Sequence, residues 1–294
     1  MKCECNQVSK IHPDLCVPLT QYRLIEIAGV DAEKYLQGQL TCDVAKLDVG
    51  THTLTSHCDP KGKMSGLFRL YRAAPEQFFA IVHQSLLPEA LTQLKKYAVF
   101  SKVTFTELDT PIFGVTSGDI LAKLHENSTA LVIPHGQKRA MVWGETLETN
   151  GAAELWDLID IQDGLAILLK ENQFELIPQA TNLQAVENAI SFTKGCYIGQ
   201  ETVARAKYRG ANKRAMFTLV GDVEGNVELP TPASSIEMQL GENWRATGTI
   251  LASVAYQGKL WLQVVMNKDV EPETRFRLNG VELQMCDLPY SVDE

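Results

Sequence analysis

The stretch Lys194-Gly195-Cys196-Tyr197-Ile198-Gly199-Gln200-Glu201 is the most informative in the chain, bringing a lysine, a cysteine, a tyrosine and a carboxylate into eight residues. Two glycines bracket a Cys-aromatic-Ile core, and Gly199 opens what reads as a helix over Gln200–Ala206. A loop entering a helix N-terminus exposes backbone N–H groups, which favour an anion. Residues 194–214 carry six cations (Lys194, Arg205, Lys207, Arg209, Lys213, Arg214) and one acid, Glu201. That island is net +5 in a chain of formal charge −9, so it suits an anionic ligand or partner. A solvated helix face followed by a polar linker is the bland alternative, and composition alone favours it. Cys196 is the one cysteine with glycines beside it and cations around it, the setting in which a thiol becomes reactive. Outside that setting it would read as a small core hydrophobe.

The other candidates are weaker. Trp156 shares an otherwise aliphatic helix face with Leu155 and Ile159; such a residue is more often core than ligand platform, although an aromatic lining a pocket can stack on a flat heterocycle. The six histidines (12, 52, 57, 83, 125, 135) form no HExxH motif. His57, Cys58 and Asp59 are adjacent, but strand neighbours point to opposite faces, so 57 and 58 should not meet. There is no P-loop, and no GxGxxG follows a strand. Seven cysteines lack zinc-ribbon spacing. Cys3-x-Cys5, with His12 and Cys16, has the ligand types for a soft metal, yet a frayed tail with reduced thiols is the preferred reading. No metal is expected. Reduced thiols point to the cytoplasm.

These residues need a scaffold, and 294 residues with 45 % hydrophobic composition supply about two domains, or three small ones. That is enough chain to bury a core without disulfides. No apolar run approaches the ~20 residues of a membrane span, and no apolar stretch follows Lys2, so neither membrane insertion nor secretion is expected. The acidic balance argues against a dedicated nucleic-acid binder.

Strand-like Tyr22–Ile27 closes on Ala28-Gly29, and Asp31 reads as an N-cap for a following helix. Thr51–Cys58 and Met64–Arg72 flank the turn Asp59-Pro60-Lys61-Gly62-Lys63. Gln77–His83, an amphipathic helix over Pro88–Phe100 and strand-like Lys102–Leu108 complete an α+β block. A second block runs from Ile112, with helices over Asp119–Glu126 and Ala152–Ile161. From Arg214 onward the chain reads as short strands only, at Met216–Val220, Thr247–Val254, Leu260–Val265, Thr274–Leu278 and Val281–Met285, which suggests a small β-barrel or sandwich. The joint falls at Tyr208–Asn212.

The 194–201 motif, continued by Val203-Ala204-Arg205-Ala206-Lys207, resembles the signature of the bacterial YgfZ proteins. Lys34–Gln39, His57–Met64, Leu94–Val103, Ile177–Ala185, Arg209–Ala215 and Met238–Gly248 resemble the same family, so the likeness covers most of the chain. It implies an α+β fold of the aminomethyltransferase (T-protein) type. That fold is a three-domain ring: residues 1–45 with 109–211 as a discontinuous folate-binding unit, 46–108 as an inserted ferredoxin-like unit, and 212–294 as a C-terminal β-barrel.

The resemblance further implies tetrahydrofolate in a central channel, with Tyr22 and Trp156 at the family's two aromatic positions. Tyr22 stands where Trp is expected, which keeps a stacking face but loses area. The signature residues Lys194, Gly195, Cys196, Tyr197, Gly199, Gln200, Glu201 and Arg205 would belong to the site, with Cys196 as a redox or cluster-contacting thiol. The basic island would suit the glutamate tail of folate. The implied role is that of an accessory to tRNA modification, keeping iron–sulfur clusters intact in client enzymes such as tRNA methylthiotransferases, without binding tRNA itself. Whether the chain catalyses any reaction stays open. The alternative is a folate-dependent one-carbon transferase or demethylase. Against it, the aminomethyltransferase has a catalytic aspartate just after its hairpin turn, whereas Lys63–Leu67 contains no acid; Asp43 or Glu187 would have to substitute.

Overall fold

A computed structural model of the chain describes residues 13–271 and 273–292. Three antiparallel sheets organise it. The first has five strands in the order His52–Cys58, Met64–Ala74, Gln77–His83, Tyr22–Ala28, Thr104–Leu108. The hairpin at one edge, His52–Cys58 with Met64–Ala74, turns as the sequence indicates. Asp59 Oδ1 accepts from the N–H groups of both Lys61 and Lys63 at 2.9 Å, and Gly62 takes φ +78°. Helices Ala32–Gln39 and Leu87–Lys95 press Leu36, Leu87, Ala90 and Leu94 into one core with Ile25, Ile27, Phe68, Phe78 and Val82.

The second sheet is ordered Cys16–Pro18, Phe113–Val115, Ala140–Trp143, Thr129–Val132. Helix Glu154–Gln162 packs beside it, and Trp156 lies so close to Gly114 that a Cβ there would fall 2.3 Å from the indole. The third sheet has seven strands between Arg214 and Cys286. Its own residues, among them Phe217, Leu219, Ile250, Leu262, Val264 and Phe276, form one core, as they must when a single sheet curls on itself into a barrel.

Several expectations change. The division that placed residues 1–45 with 109–211 does not follow the sheets, because strand Tyr22–Ala28 pairs with Gln77–His83 along its whole length and with Thr104–Leu108 on its other side. Only Cys16–Pro18, from the start of the described chain, joins the second sheet. The helix expected over Pro88–Phe100 is Leu87–Lys95 followed by a separate 3-10 turn, Ala98–Phe100. Asp31 does not cap its helix; its Oδ2 accepts from the Lys102 N–H at 2.6 Å, tying the helix start to the edge strand. The barrel also contains a hairpin, Ile236–Leu240 with Asn243–Thr247, whose largely solvent-facing residues lack apolar alternation. Cys3, Cys5 and His12 lie outside the described residues. Among the described residues no three His, Cys, Asp or Glu side chains gather as a metal site, and no helix is long and apolar enough to cross a membrane.

Candidate functional site

Strand Tyr22–Ala28 delivers Tyr22 to the edge of a small inner pocket, and helix Glu154–Gln162 delivers Trp156 and Asp160 to the same pocket. The rest of the lining is mostly apolar, including Phe68, Ile81, Met141 and Leu168, with Arg69 and His83 as further polar groups. Two aromatics from distant parts of the chain therefore meet in one cavity. Tyr22 stands edge-on to His83, at 5.7 Å between ring centroids. Burial pushes the Tyr22 phenol well up, and Asp160 and Asp157 add to that, so it stays a neutral donor. Burial also depresses His83, to about 4.

Trp156 is 1 % exposed. The Arg139 guanidinium lies 5.0 Å from its ring centroid, so a face of the indole is already covered. Arg139 is fully buried and pairs with Asp160 at 2.5 Å and with Asp163. Asp160 and Asp163 sit at i and i+3 on the last turn of their helix, so one guanidinium reaches both. Arg139 thus holds Trp156 and Asp160 in place as a positioning residue.

Beside the inner pocket lies a larger cleft of about 710 Å³, lined by Asp43, Lys46, His52, His135, Glu187 and Phe192 among others. The two cavities meet at a buried ion pair. Arg69 lines the inner one, Glu187 the outer, and they are 3.0 Å apart. Glu187 Oε2 also accepts from the Leu54 N–H at 2.7 Å, and its own N–H donates to His135 Nε2 at 3.0 Å. Glu187 adopts φ +52°, a left-handed conformation that a side chain disfavours and its surroundings must enforce. Arg69 Nη1 donates to His52 Nδ1 at 3.0 Å, which leaves the His52 Nε2–H to donate to the Val132 carbonyl. Both histidines of the outer cleft are therefore held in single tautomers.

The inner pocket holds only about 60 Å³, whereas sites for drug-sized ligands run from ~300 to ~1,000 Å³. Its chemistry fits a flat heterocycle, with apolar walls and a few polar groups at the edges. Its size requires that the pocket widen to admit one, while the cleft already offers room for a longer tail.

The signature motif lies elsewhere. Cys196 is exposed and is not among the residues that line either cavity. Lys194 does not face a ligand. Its ammonium donates to the carbonyls of Gln37, Leu40 and Cys42 at 2.7, 2.5 and 2.7 Å, and burial lowers it to about 8. Arg205 pairs with Glu201 at 2.6 Å on the helix surface. Tyr197 is buried, and its ring lies 4.7 Å from the Lys194 ammonium. A Cβ on Gly199 would fall 2.7 Å from the Asp59 carbonyl oxygen, and one on Gly62 would fall 2.6 Å from Thr202 Cβ. The helix Gln200–Tyr208 thus starts against the 59–62 hairpin turn and not at an open anion site. No cation of the basic island is among the residues that line either cavity.

After the hairpin turn, residues 63–67 hold no acid but a buried hydroxyl. Ser65, in strand Met64–Ala74, is fully buried, and its Oγ lies 2.6 Å from His57 Nδ1, while Gln39 Oε1 is 3.3 Å from His57 Nε2. Burial lowers His57 to about 4, so the ring stays neutral. The sheet register shifts between His57 and Cys58, and both side chains are buried.

With this geometry in hand, the relatives are informative. An Escherichia coli protein named tRNA-modifying protein YgfZ is 40 % identical, over 96 % of this chain and 95 % of its own length. The chain belongs to the YgfZ family. The model of the YgfZ β-barrel domain matches residues 212–281, within the third sheet. A Photorhabdus laumondii protein of the same name is 38 % identical over 96 % of this chain and 94 % of its own length. An uncharacterised protein of Haemophilus influenzae is 53 % identical over 95 % of this chain and 99 % of its own. The glycine cleavage system aminomethyltransferase T of Bartonella henselae aligns in space with a TM-score of 0.65 at 14 % identity, covering 93 % of this chain and 85 % of that one. The YgfZ fold seen here is therefore α+β, of the aminomethyltransferase type, with a C-terminal β-barrel.

The residues that sequence reasoning missed are Arg69, Arg139, Asp160 and Asp163. The i, i+3 acids were visible in the sequence, but their cation comes from the residue just before strand Ala140–Trp143 of the second sheet, which no local signal announces.

Proposed function

We propose that this YgfZ protein is a folate-binding accessory factor in tRNA modification. In this reading tetrahydrofolate places its flat ring in the inner pocket and its tail in the outer cleft. The protein then serves the iron–sulfur clusters of client enzymes such as tRNA methylthiotransferases. The observation that carries the reading is the meeting of Tyr22 and Trp156 in one cavity with Asp160 and Arg69. Relatives named for tRNA modification support the biological half.

The residues assign roles to their own atoms. Trp156 offers what Arg139 leaves uncovered, Tyr22 offers a neutral hydroxyl, and Asp160 presents a carboxylate braced by Arg139. One-carbon transfer draws no support from the hairpin, where Ser65 and not an acid follows the turn. Glu187 reaches the boundary of the cavities, but Arg69 and the Leu54 N–H occupy its carboxylate.

Titrating tetrahydrofolate while following tryptophan fluorescence and thermal stability tests the reading. The expected result is saturable quenching with a rise in Tm, both weakened in Trp156→Phe and in Tyr22→Ala. A ligand at a hundredfold its Kd should stabilise the fold by about 2.7 kcal/mol. The absence of both quenching and stabilisation at high micromolar ligand would remove folate from the account.

A further inference from the structure

The 3-10 turn Ala98–Phe100 buries none of its residues. Phe100 is 98 % exposed and Val99 81 %, the two highest exposures among the exposed large hydrophobics of the described chain, and Tyr97 beside them is 52 % exposed. A single apolar side chain on a surface means little, but three in four residues at one tip is unusual. The same segment, 95–102, contains Lys95, Lys96 and Lys102 and no acid. All three lysines are exposed, and among the described residues none forms a salt bridge. The Lys96 ammonium lies 5.6 Å from the Tyr97 ring centroid and that of Lys95 5.9 Å from Phe105. Asp31 is the nearby carboxylate, and its Oδ2 is held by the Lys102 backbone N–H.

We propose that this tip is a contact for single-stranded RNA. Phe100 would stack on an unpaired base, Tyr97 would flank it, and Lys95, Lys96 and Lys102 would pair with adjacent phosphates. Aromatic rings interleaved with lysines are what a single strand recognises, because every base has a π-face and every nucleotide a charge. The tip is too small for the ~1,000 Å² that a stable protein interface buries. The overall charge of −9 does not forbid the contact, since charges beyond a Debye length of ~8 Å are screened at physiological salt. In the basic island 194–214, Lys194 is tied to carbonyls and Arg205 to Glu201, so a competing footprint there rests on the remaining cations, which the experiment below examines. This contact goes beyond the accessory role and is independent of the folate pocket.

Fluorescence anisotropy with a labelled short oligouridylate, at several salt concentrations, tests the proposal on the full chain. Phe100→Ala should weaken binding about tenfold, the loss of one stacked base. Replacing Lys95, Lys96 and Lys102 together by Gln should lower the slope of log affinity against log salt by about 2, as three single-strand phosphate contacts require. Because these side chains are exposed, both variants should melt with the wild type, which separates a binding effect from unfolding. Arg209→Gln with Lys213→Gln should leave the slope nearly unchanged. The proposal falls if the wild type binds no oligouridylate at low salt. It falls equally if the tip variants bind as the wild type does, or if only the island variant loses affinity. Binding of the tip to phosphatidylserine vesicles in place of RNA would also overturn it.

Discussion

Arg69 and Glu187 stand 3.0 Å apart with their side chains almost wholly buried, and they form the wall between the inner pocket and the outer cleft. Any ligand that spans both cavities must pass this pair. Removing one partner of a buried pair strands the other charge, at a cost of about 3–5 kcal/mol. Glu187→Ala should therefore lower the urea midpoint sharply, and it also removes the acceptor of the Leu54 N–H. An unchanged midpoint would mean that water reaches Arg69 and that the wall is already open.

Lys194 makes a second prediction, because it caps a helix and does not meet a ligand. The carbonyls of Gln37 and Leu40 stand at the end of helix Ala32–Gln39, where no intrahelical N–H remains to pair with them. One ammonium with three donors satisfies both, and the Cys42 carbonyl as well. Lys194→Met keeps the apolar stem and leaves three acceptors unpaired, so it should cost about 2–4 kcal/mol in chemical denaturation. Lys194→Arg should recover less than half of that, since a planar guanidinium cannot converge on three carbonyls as an ammonium does. Full recovery by Arg would point to charge alone as the requirement.

These two residues show what the sequence could and could not convey. The hairpin over 59–63, the helix opened by Gly199 and the all-β tail after Arg214 are written in turn residues and alternation, so each was legible. The barrel hairpin around Gly241 was not, because most of its strand residues face solvent. The joint position of Tyr22 and Trp156 was anticipated through family resemblance and not through periodicity. Arg139 carried no local signal at all, and Glu187 stood out only as an acid that could substitute after the hairpin; its ion pair with Arg69 arises from a partner that only the folded chain brings near. The motif itself was legible, but its chemistry was read too directly. Its glycines allow two loops to interlock, and its lysine caps a helix.

Asp157 supplies a pH signature. Burial raises its carboxyl to about 7, despite the hydrogen bond at 2.9 Å from Gln21 Nε2. With the folded value above the unfolded one, the native state holds the proton more tightly than the denatured state. Its contribution is therefore most favourable below about pH 4 and fades as pH rises through 7. Asp157→Asn keeps an acceptor for Gln21 and removes the charge. After discounting for solvent screening it should stabilise the protein by about 1 kcal/mol at pH 8, a Tm rise of roughly 2–4 °C, with no gain at pH 4. A gain of equal size at both pH values would show that the substitution acts through packing.

The cysteines give the sharpest test of how the motif is presented. Burial lifts the Cys42 thiol to about 11 and the Cys58 thiol to about 12, so at pH 8 both are protonated as well as shielded. Cys16 and Cys286 are buried too, whereas Cys196 faces solvent. In a variant with Cys3 and Cys5 replaced by Ser, a chromogenic disulfide reagent at pH 8 should react rapidly with one thiol and slowly with the rest. Cys196→Ser should abolish the fast phase while changing stability by less than about 0.5 kcal/mol, as exposed sites do. A second fast thiol would most simply be Cys42, which lines the outer cleft. Its appearance on adding tetrahydrofolate would report that the cleft opens when a ligand enters. Its suppression by the ligand, after being fast without it, would place the ligand's tail over Cys42.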